Sequence, residues 1–157
     1  MKKIAYVFPG QGAQYVGMGK PLFERYQIFK DVFIRAGDLL HMDLSRICLE
    51  GPSVELDKTE NTQVALLVYG YAAFQVMTQE YGIRPNYMAG HSVGEITALV
   101  CSGAIDFEDG VKMVRVRGEL MRGAGHGAPG GMAAVIGGAI EEVEAVCAEV
   151  STRLYPL

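Results

Sequence analysis

The sequence contains no tryptophan and has three cysteines in 157 residues. Cys48, Cys101 and Cys147 are odd in number and far apart, with no C-x-x-C pair and no histidine at ligand spacing. This argues against a disulfide framework and a zinc site, and free thiols suit a reducing cytoplasm. Clusters of Lys and Arg are missing too, and the formal net charge is −4. Nothing supplies the basic track that a nucleic-acid backbone requires. Long hydrophobic runs are also lacking. The apolar stretch at 64–77 contains Gly70 and Gln75 and is too short to span a bilayer. Near the start, the apolar run at 4–8 is stopped at once by Pro9-Gly10, too soon for a secretory signal. These absences point to a soluble, cytoplasmic protein that engages neither nucleic acid nor membrane.

What remains is 50% hydrophobic and 20% charged, the composition of an ordinary α/β protein. Such a length fits one domain, or one domain with the beginning of another. The eight methionines read as core filling.

Residues 4–8 form a short β-branched and aromatic run, expected as a buried parallel strand. A helix is expected over 22–36, ending near Gly37, and a turn at Gly51-Pro52. Asn61 or Thr62 is placed to cap a long apolar helix over 63–81, closed by Gly82. A second short strand follows at 86–90, then a helix over 93–101. Asp106 is placed to cap another helix over 107–122. The glycine-rich segment 123–131 is the best domain boundary, followed by a strand at 132–136 and a helix at 140–150. Strands alternating with helices predict a parallel α/β sheet.

Gly90-His91-Ser92-Val93-Gly94 matches G-x-S-x-G between a strand and a helix. In a nucleophile elbow the serine sits on a strained strand-to-helix turn, and the flanking glycines permit its close packing. Its hydroxyl then faces outward at the positive end of the following helix. The N–H of Val93 becomes available to an oxyanion. The competing reading is a glycine-rich turn whose serine only caps the helix.

Pro9-Gly10-Gln11-Gly12-Ala13-Gln14 follows the first strand, at the end where open α/β sheets carry their sites. It lacks the Lys-Ser/Thr ending of a phosphate loop, and Tyr15 spoils a dinucleotide fingerprint. The backbone N–H of Gln11 is a candidate second oxyanion donor; an ordinary glycine turn is the alternative.

Arg117 has Met113, Val114, Leu120 and Met121 as its helical neighbours, whereas Arg115 has Lys112 and Glu119 beside it. The first reads as an arginine on a buried apolar stripe and the second as solvated surface. A buried guanidinium requires an anion, either a structural carboxylate or the carboxylate of a ligand.

A serine nucleophile requires a general base, usually histidine. His91 lies inside the elbow and is expected to point away from the hydroxyl. His41 is expected on the surface, and His126 falls in the glycine-rich segment. The preferred reading is that the base is not in this chain.

Phe8-Pro9-Gly10-Gln11-Gly12-Ala13-Gln14, Gly90-His91-Ser92-Val93-Gly94-Glu95, Val116-Arg117-Gly118 and Gly131-Met132-Ala133-Ala134-Val135-Ile136-Gly137 together resemble the malonyl-CoA:acyl-carrier-protein transacylase family, which includes the acyltransferase domains of polyketide synthases. The resemblance runs from Lys3 to about Val150. It implies that Ser92 takes a malonyl group from malonyl-CoA as an ester. The group then passes to the phosphopantetheine thiol of acyl carrier protein, in fatty acid or polyketide synthesis and with no bound cofactor or metal. It further implies an oxyanion hole from the N–H groups of Gln11 and Val93, and Arg117 as the reader of the malonyl carboxylate. Gln63 and His91 are carried over as substrate-binding residues. Val93, where methylmalonyl-preferring members often have Gln, leans toward malonyl.

The fold implied is a hydrolase-like parallel sheet with helices on both faces, incomplete here, plus the start of a ferredoxin-like α+β subdomain. Residues 1–124 would be part of the large subdomain and 125–157 the first strand and helix of the small one. The family is longer, so a truncated chain with little activity, an open sheet edge and marginal solubility is expected. Two other readings stand beside it: a serine esterase or thioesterase on the same elbow, and a non-catalytic module that binds a carrier protein.

Overall fold

A long helix, α5 (Thr59–Gln79), forms the middle of the first unit, and from Val64 onward its sequence is largely apolar. Val64, Ala65, Leu67, Val68 and Ala72 on it have no exposed surface. The computed structural model describes residues 3–123 and 135–154. The chain divides into two compact units, Met1–His126 and Gly127–Leu157.

In the first unit the order is β1 (Ala5–Phe8), α1 (Lys20–Arg25), α2 (Gln27–Leu40), α3 (Leu44–Leu49), α4 (Ser53–Leu56), α5, β2 (Tyr87–Gly90), α6 (Val93–Cys101) and α7 (Phe107–Gly123). The strands pair in parallel, Ala5 opposite Tyr87 and Phe8 opposite Gly90. Both strands therefore end at the same edge, where the loop after β1 and the turn after β2 leave the sheet together.

Helix α5 packs against α2, α6 and α7. On α2 the buried residues are Phe29, Val32, Phe33 and Ala36, one helical face by spacing. Burial of each phenylalanine contributes about 1.5–3 kcal/mol.

Several expectations are corrected. The helix expected over 22–36 is two helices broken at Tyr26, whose backbone is extended (φ −117°, ψ 118°). The break brings Phe23 edge-on to Phe29 and Phe33, at 6.4 and 5.9 Å between ring centroids. The strand over 4–8 is covered on one face only: Phe8 is buried and Val7 is 74% exposed. Neither Asn61 nor Thr62 caps α5, because that helix starts at Thr59. Instead, Asn61 Nδ2 donates to the carbonyl of Glu55 (2.8 Å) and Thr62 Oγ1 to that of Leu56 (2.6 Å), tying α4 to α5. The other end of α5 closes as expected, with Gly82 at φ 64° and Ile83 N–H donating to the Met77 carbonyl.

The described part of the second unit contains one helix, α8 (Ile140–Leu154). The strand expected at 132–136 falls largely outside the described residues, and its last two positions, Val135 and Ile136, are not in a strand.

Candidate active site

Only His91 and Ser92 separate β2 from α6. Ser92 sits at φ 54°, ψ −116°, a left-handed conformation that costs a non-glycine residue roughly 1–3 kcal/mol. The flanking glycines permit this tight turn. A Cβ on Gly90 would lie 2.0 Å from the carbonyl carbon of Gly94, and one on Gly94 would lie 2.2 Å from the Phe8 carbonyl oxygen. Ser92 is the N-cap residue of α6 by position, yet its side chain makes no capping hydrogen bond. Its Oγ accepts instead from Arg117 Nη2 at 3.1 Å. The helix-cap reading of Ser92 is thereby removed.

Arg117 stands on α7 and Gln63 on α5. Arg117 Nη1 donates to Gln63 Oε1 at 2.6 Å, and Gln63 Nε2 donates to Met121 Sδ at 3.0 Å. Gln63 has no exposed surface. A buried amide must satisfy both ends, so the guanidinium at one end and the sulfur at the other fix its orientation. The two helices come this close at Gly118, where a Cβ would lie 2.4 Å from Glu60 Cα. Among the described residues no carboxylate pairs with Arg117. Both of its partners are neutral oxygens, so its charge is uncompensated there.

The surroundings of the arginines differ from expectation. Val114 is buried, but Met113 is 45% and Leu120 69% exposed, so Arg117 is half-buried beside an open apolar face rather than on a buried stripe. Nor is Arg115 simply solvated surface: its Nη1 donates to Asn61 Oδ1 (2.9 Å) and its Nε to Glu119 Oε1 (2.7 Å). Arg122 Nη1 reaches the buried carboxylate of Glu60 at 2.8 Å. All three arginines of α7 thus land on the first turns of α5.

The loop after β1 meets the elbow at Gly10, where a Cβ would lie 2.6 Å from His91 Nδ1. The imidazole of His91 therefore lies against the Gly10 backbone. Gly12 N–H donates to Gln14 Oε1 (2.8 Å), Gln14 Nε2 to Asp57 Oδ1 (2.9 Å), and Gln11 Nε2 reaches Thr59 Oγ1 at 3.4 Å. The backbone N–H groups of Gln11 and Val93 are given to no other group among the described residues. His41 is exposed at the end of α2, and His126 lies outside the described residues.

The sequence names Met121 and Gln14 but not their roles as partners of Gln63 and Asp57, and it does not single out Asp57. Met121 is one helical turn from Arg117, so that neighbour was legible; the other two meet through a pairing 43 positions apart. Among the described residues no group of His, Cys, Asp and Glu could hold a metal, and no helix is long and apolar enough to cross a membrane.

Comparison with known proteins shows what the chain is similar to. The chain is 42% identical over its full length to the malonyl CoA-acyl carrier protein transacylase of Bacillus subtilis, of which it covers 39%. It superposes with a TM-score of 0.88 and 42% identity on the acyl carrier protein S-malonyltransferase of Vibrio cholerae, covering 96% of this chain and 49% of that one. A solved complex of a type II polyketide synthase acyl-carrier protein with its malonyl-transacylase matches with a TM-score of 0.87 and 40% identity, covering 97% and 49%. The chain therefore spans less than half the length of these relatives. The α/β acyltransferase fold is common to them and to this chain. The acyl transferase domain family matches residues 5–154, and the chain belongs to that family.

Proposed function

We propose that this chain carries the nucleophile and the acyl-binding side of a malonyl-CoA:acyl-carrier-protein transacylase. One observation carries the reading: a guanidinium held by two neutral oxygens, one of them the hydroxyl of an elbow serine.

In this reading Ser92 Oγ attacks the thioester carbonyl of malonyl-CoA. The negative charge gathers on the carbonyl oxygen and is met by the N–H groups of Gln11 and Val93. Collapse of the intermediate breaks the carbon–sulfur bond and releases coenzyme A as its thiol, leaving malonyl as an ester on Ser92. The phosphopantetheine thiol of acyl carrier protein then attacks that ester and carries the group away. Arg117 pairs with the free malonyl carboxylate, with Gln63 holding the guanidinium; His91 borders the acyl site. The proton of Ser92 goes to a general base that is neither His91, which lies against Gly10, nor His41, which is at the end of α2. No bound cofactor is required. The setting is fatty acid or polyketide synthesis in the cytoplasm.

The two units belong, in this reading, to a large hydrolase-like subdomain and to the beginning of a smaller ferredoxin-like one. The test is to incubate the chain with malonyl-CoA, with imidazole supplied as the general base, and record its intact mass, with Ser92→Ala in parallel. One malonyl adduct on the wild type alone is the expected result. An adduct that survives Ser92→Ala would overturn the assignment of the nucleophile.

A further inference from the structure

We infer that Gln14 is a positioning residue, and that its amide sets the loop presenting the Gln11 N–H to the acyl group. This rests on the oxyanion role proposed for Gln11 and goes beyond it.

The loop from Pro9 to Gln14 carries three consecutive N–H groups of interest. Gly10 is pressed against His91, and Gly12 lies at φ +106°, a conformation that favours glycine. Glycine there leaves the peptide between Gln11 and Gly12 free to rotate unless something holds it. Gln14 does so: its Oε1 accepts from Gly12 N–H (2.8 Å) while its Nε2 donates to Asp57 Oδ1 (2.9 Å). A side-chain amide accepts at one end and donates at the other. The bridge anchors the loop to Asp57, two residues before α5 begins at Thr59. It occupies the Gly12 N–H and leaves the Gln11 N–H as the available donor. Because α5 also supplies Gln63 to Arg117, one helix start fixes both the oxyanion loop and the carboxylate reader.

The polarity of the bridge gives a specific test. Gln14→Glu keeps the acceptor for Gly12 but removes the donor and sets a carboxylate against Asp57. Gln14→Glu combined with Asp57→Asn restores the bridge, because the amide introduced at position 57 can donate to the carboxylate introduced at position 14. Two measurements are made on each variant: amide exchange at Gln11 and Gly12 by NMR, and the single-turnover rate of malonyl ester formation with its dependence on malonyl-CoA concentration. Expected are fast Gly12 exchange and a maximal rate reduced roughly tenfold to a hundredfold in Gln14→Glu, with half-saturation unchanged, because an oxyanion donor acts in the transition state. The double variant recovers both. Unchanged Gly12 exchange in Gln14→Glu overturns the bridge. Changed exchange with an unchanged rate, or a change confined to half-saturation, overturns the positioning role. If the wild type forms no ester even with imidazole supplied as the general base, the proposed transacylase function fails, and with it the positioning role; the exchange pattern still decides the bridge.

Discussion

Arg117 and Ser92 are 25 positions apart in sequence and share a hydrogen bond of 3.1 Å, Nη2 donating to Oγ. The cation that the acyl group's carboxylate would meet is thus within one hydrogen bond of the proposed nucleophile. In a malonyl group one methylene separates the carboxylate from the thioester carbonyl. A carboxylate seated on Arg117 therefore brings that carbonyl to Ser92 Oγ, which is positioning of the kind that lowers a bimolecular barrier.

From this, Arg117→Ala should slow ester formation from malonyl-CoA roughly tenfold to a hundredfold, the value of a hydrogen-bonded charge at about 1.5–3 kcal/mol. Acetyl-CoA, which has no free carboxylate, should not suffer the same loss. Arg117→Lys keeps the charge but not the planar fork, and should fall between. Rates with the two thioesters, measured by intact mass, check this; an equal loss with both would remove the carboxylate-reading role.

Gly118 is the point where α7 touches the start of α5. A methyl group there meets backbone, not a flexible side chain, with Glu60 Cα at 2.4 Å and Glu60 N at 2.9 Å. Gly118→Ala should cost about 1–3 kcal/mol of stability as overpacking, more than any gain from helix propensity. The shift of the urea unfolding midpoint measures it. Gly123, whose Cβ position meets nothing among the described residues, is the control and should show no loss of this size.

Between α2 and α7, Arg35 Nε donates to Glu108 Oε1 at 2.7 Å. That hydrogen bond first, and the Glu108 backbone N–H second, hold the Glu108 carboxyl below the usual carboxylate range. A depressed carboxyl pKa contributes stability that is fully present above the unfolded value and is lost as pH falls through the folded one. Arg35→Ala should therefore raise the Glu108 titration midpoint toward the ordinary range and weaken the fall in stability on the acid side. Carboxyl NMR titration of both proteins tests it. A midpoint that stays put would assign the depression to the helix start alone.

Burial pushes the thiols of Cys48 and Cys101 up to about 12, whereas Cys147 is exposed. Since the thiolate is the reactive form, iodoacetamide at pH 8 should alkylate one site, Cys147, in the folded chain and all three in denaturant. Peptide masses decide this. Rapid labelling of Cys48 or Cys101 without denaturant would mean that the core opens far more readily than its packing implies.

Much of the candidate site could be read from residues close together in sequence. The elbow needs two glycines two positions either side of a serine, and α6 begins and ends at Val93 and Cys101 as the pattern predicts. The buried face of α2 follows from apolar spacing alone. Where reading failed, a side chain had taken a partner outside its own element. Asn61 and Thr62 have the chemistry of helix caps but direct it to the carbonyls of Glu55 and Leu56. Tyr26 interrupts a helical pattern that continues on both sides, and the bend there accompanies the packing of Phe23 on Phe29 and Phe33.

The sequence by itself determined the turn at Ser92, the apolar character of α5 and the presence of an arginine among apolar neighbours, since each depends on spacing within a few residues. Tertiary structure alone decided what Arg117 touches, that α7 exposes Met113 and Leu120, and that Gln14 meets Asp57. The reason is physical: backbone geometry fixes neighbours one turn apart, whereas the approach of α5 and α7 at Gly118 depends on all the surfaces packed around them.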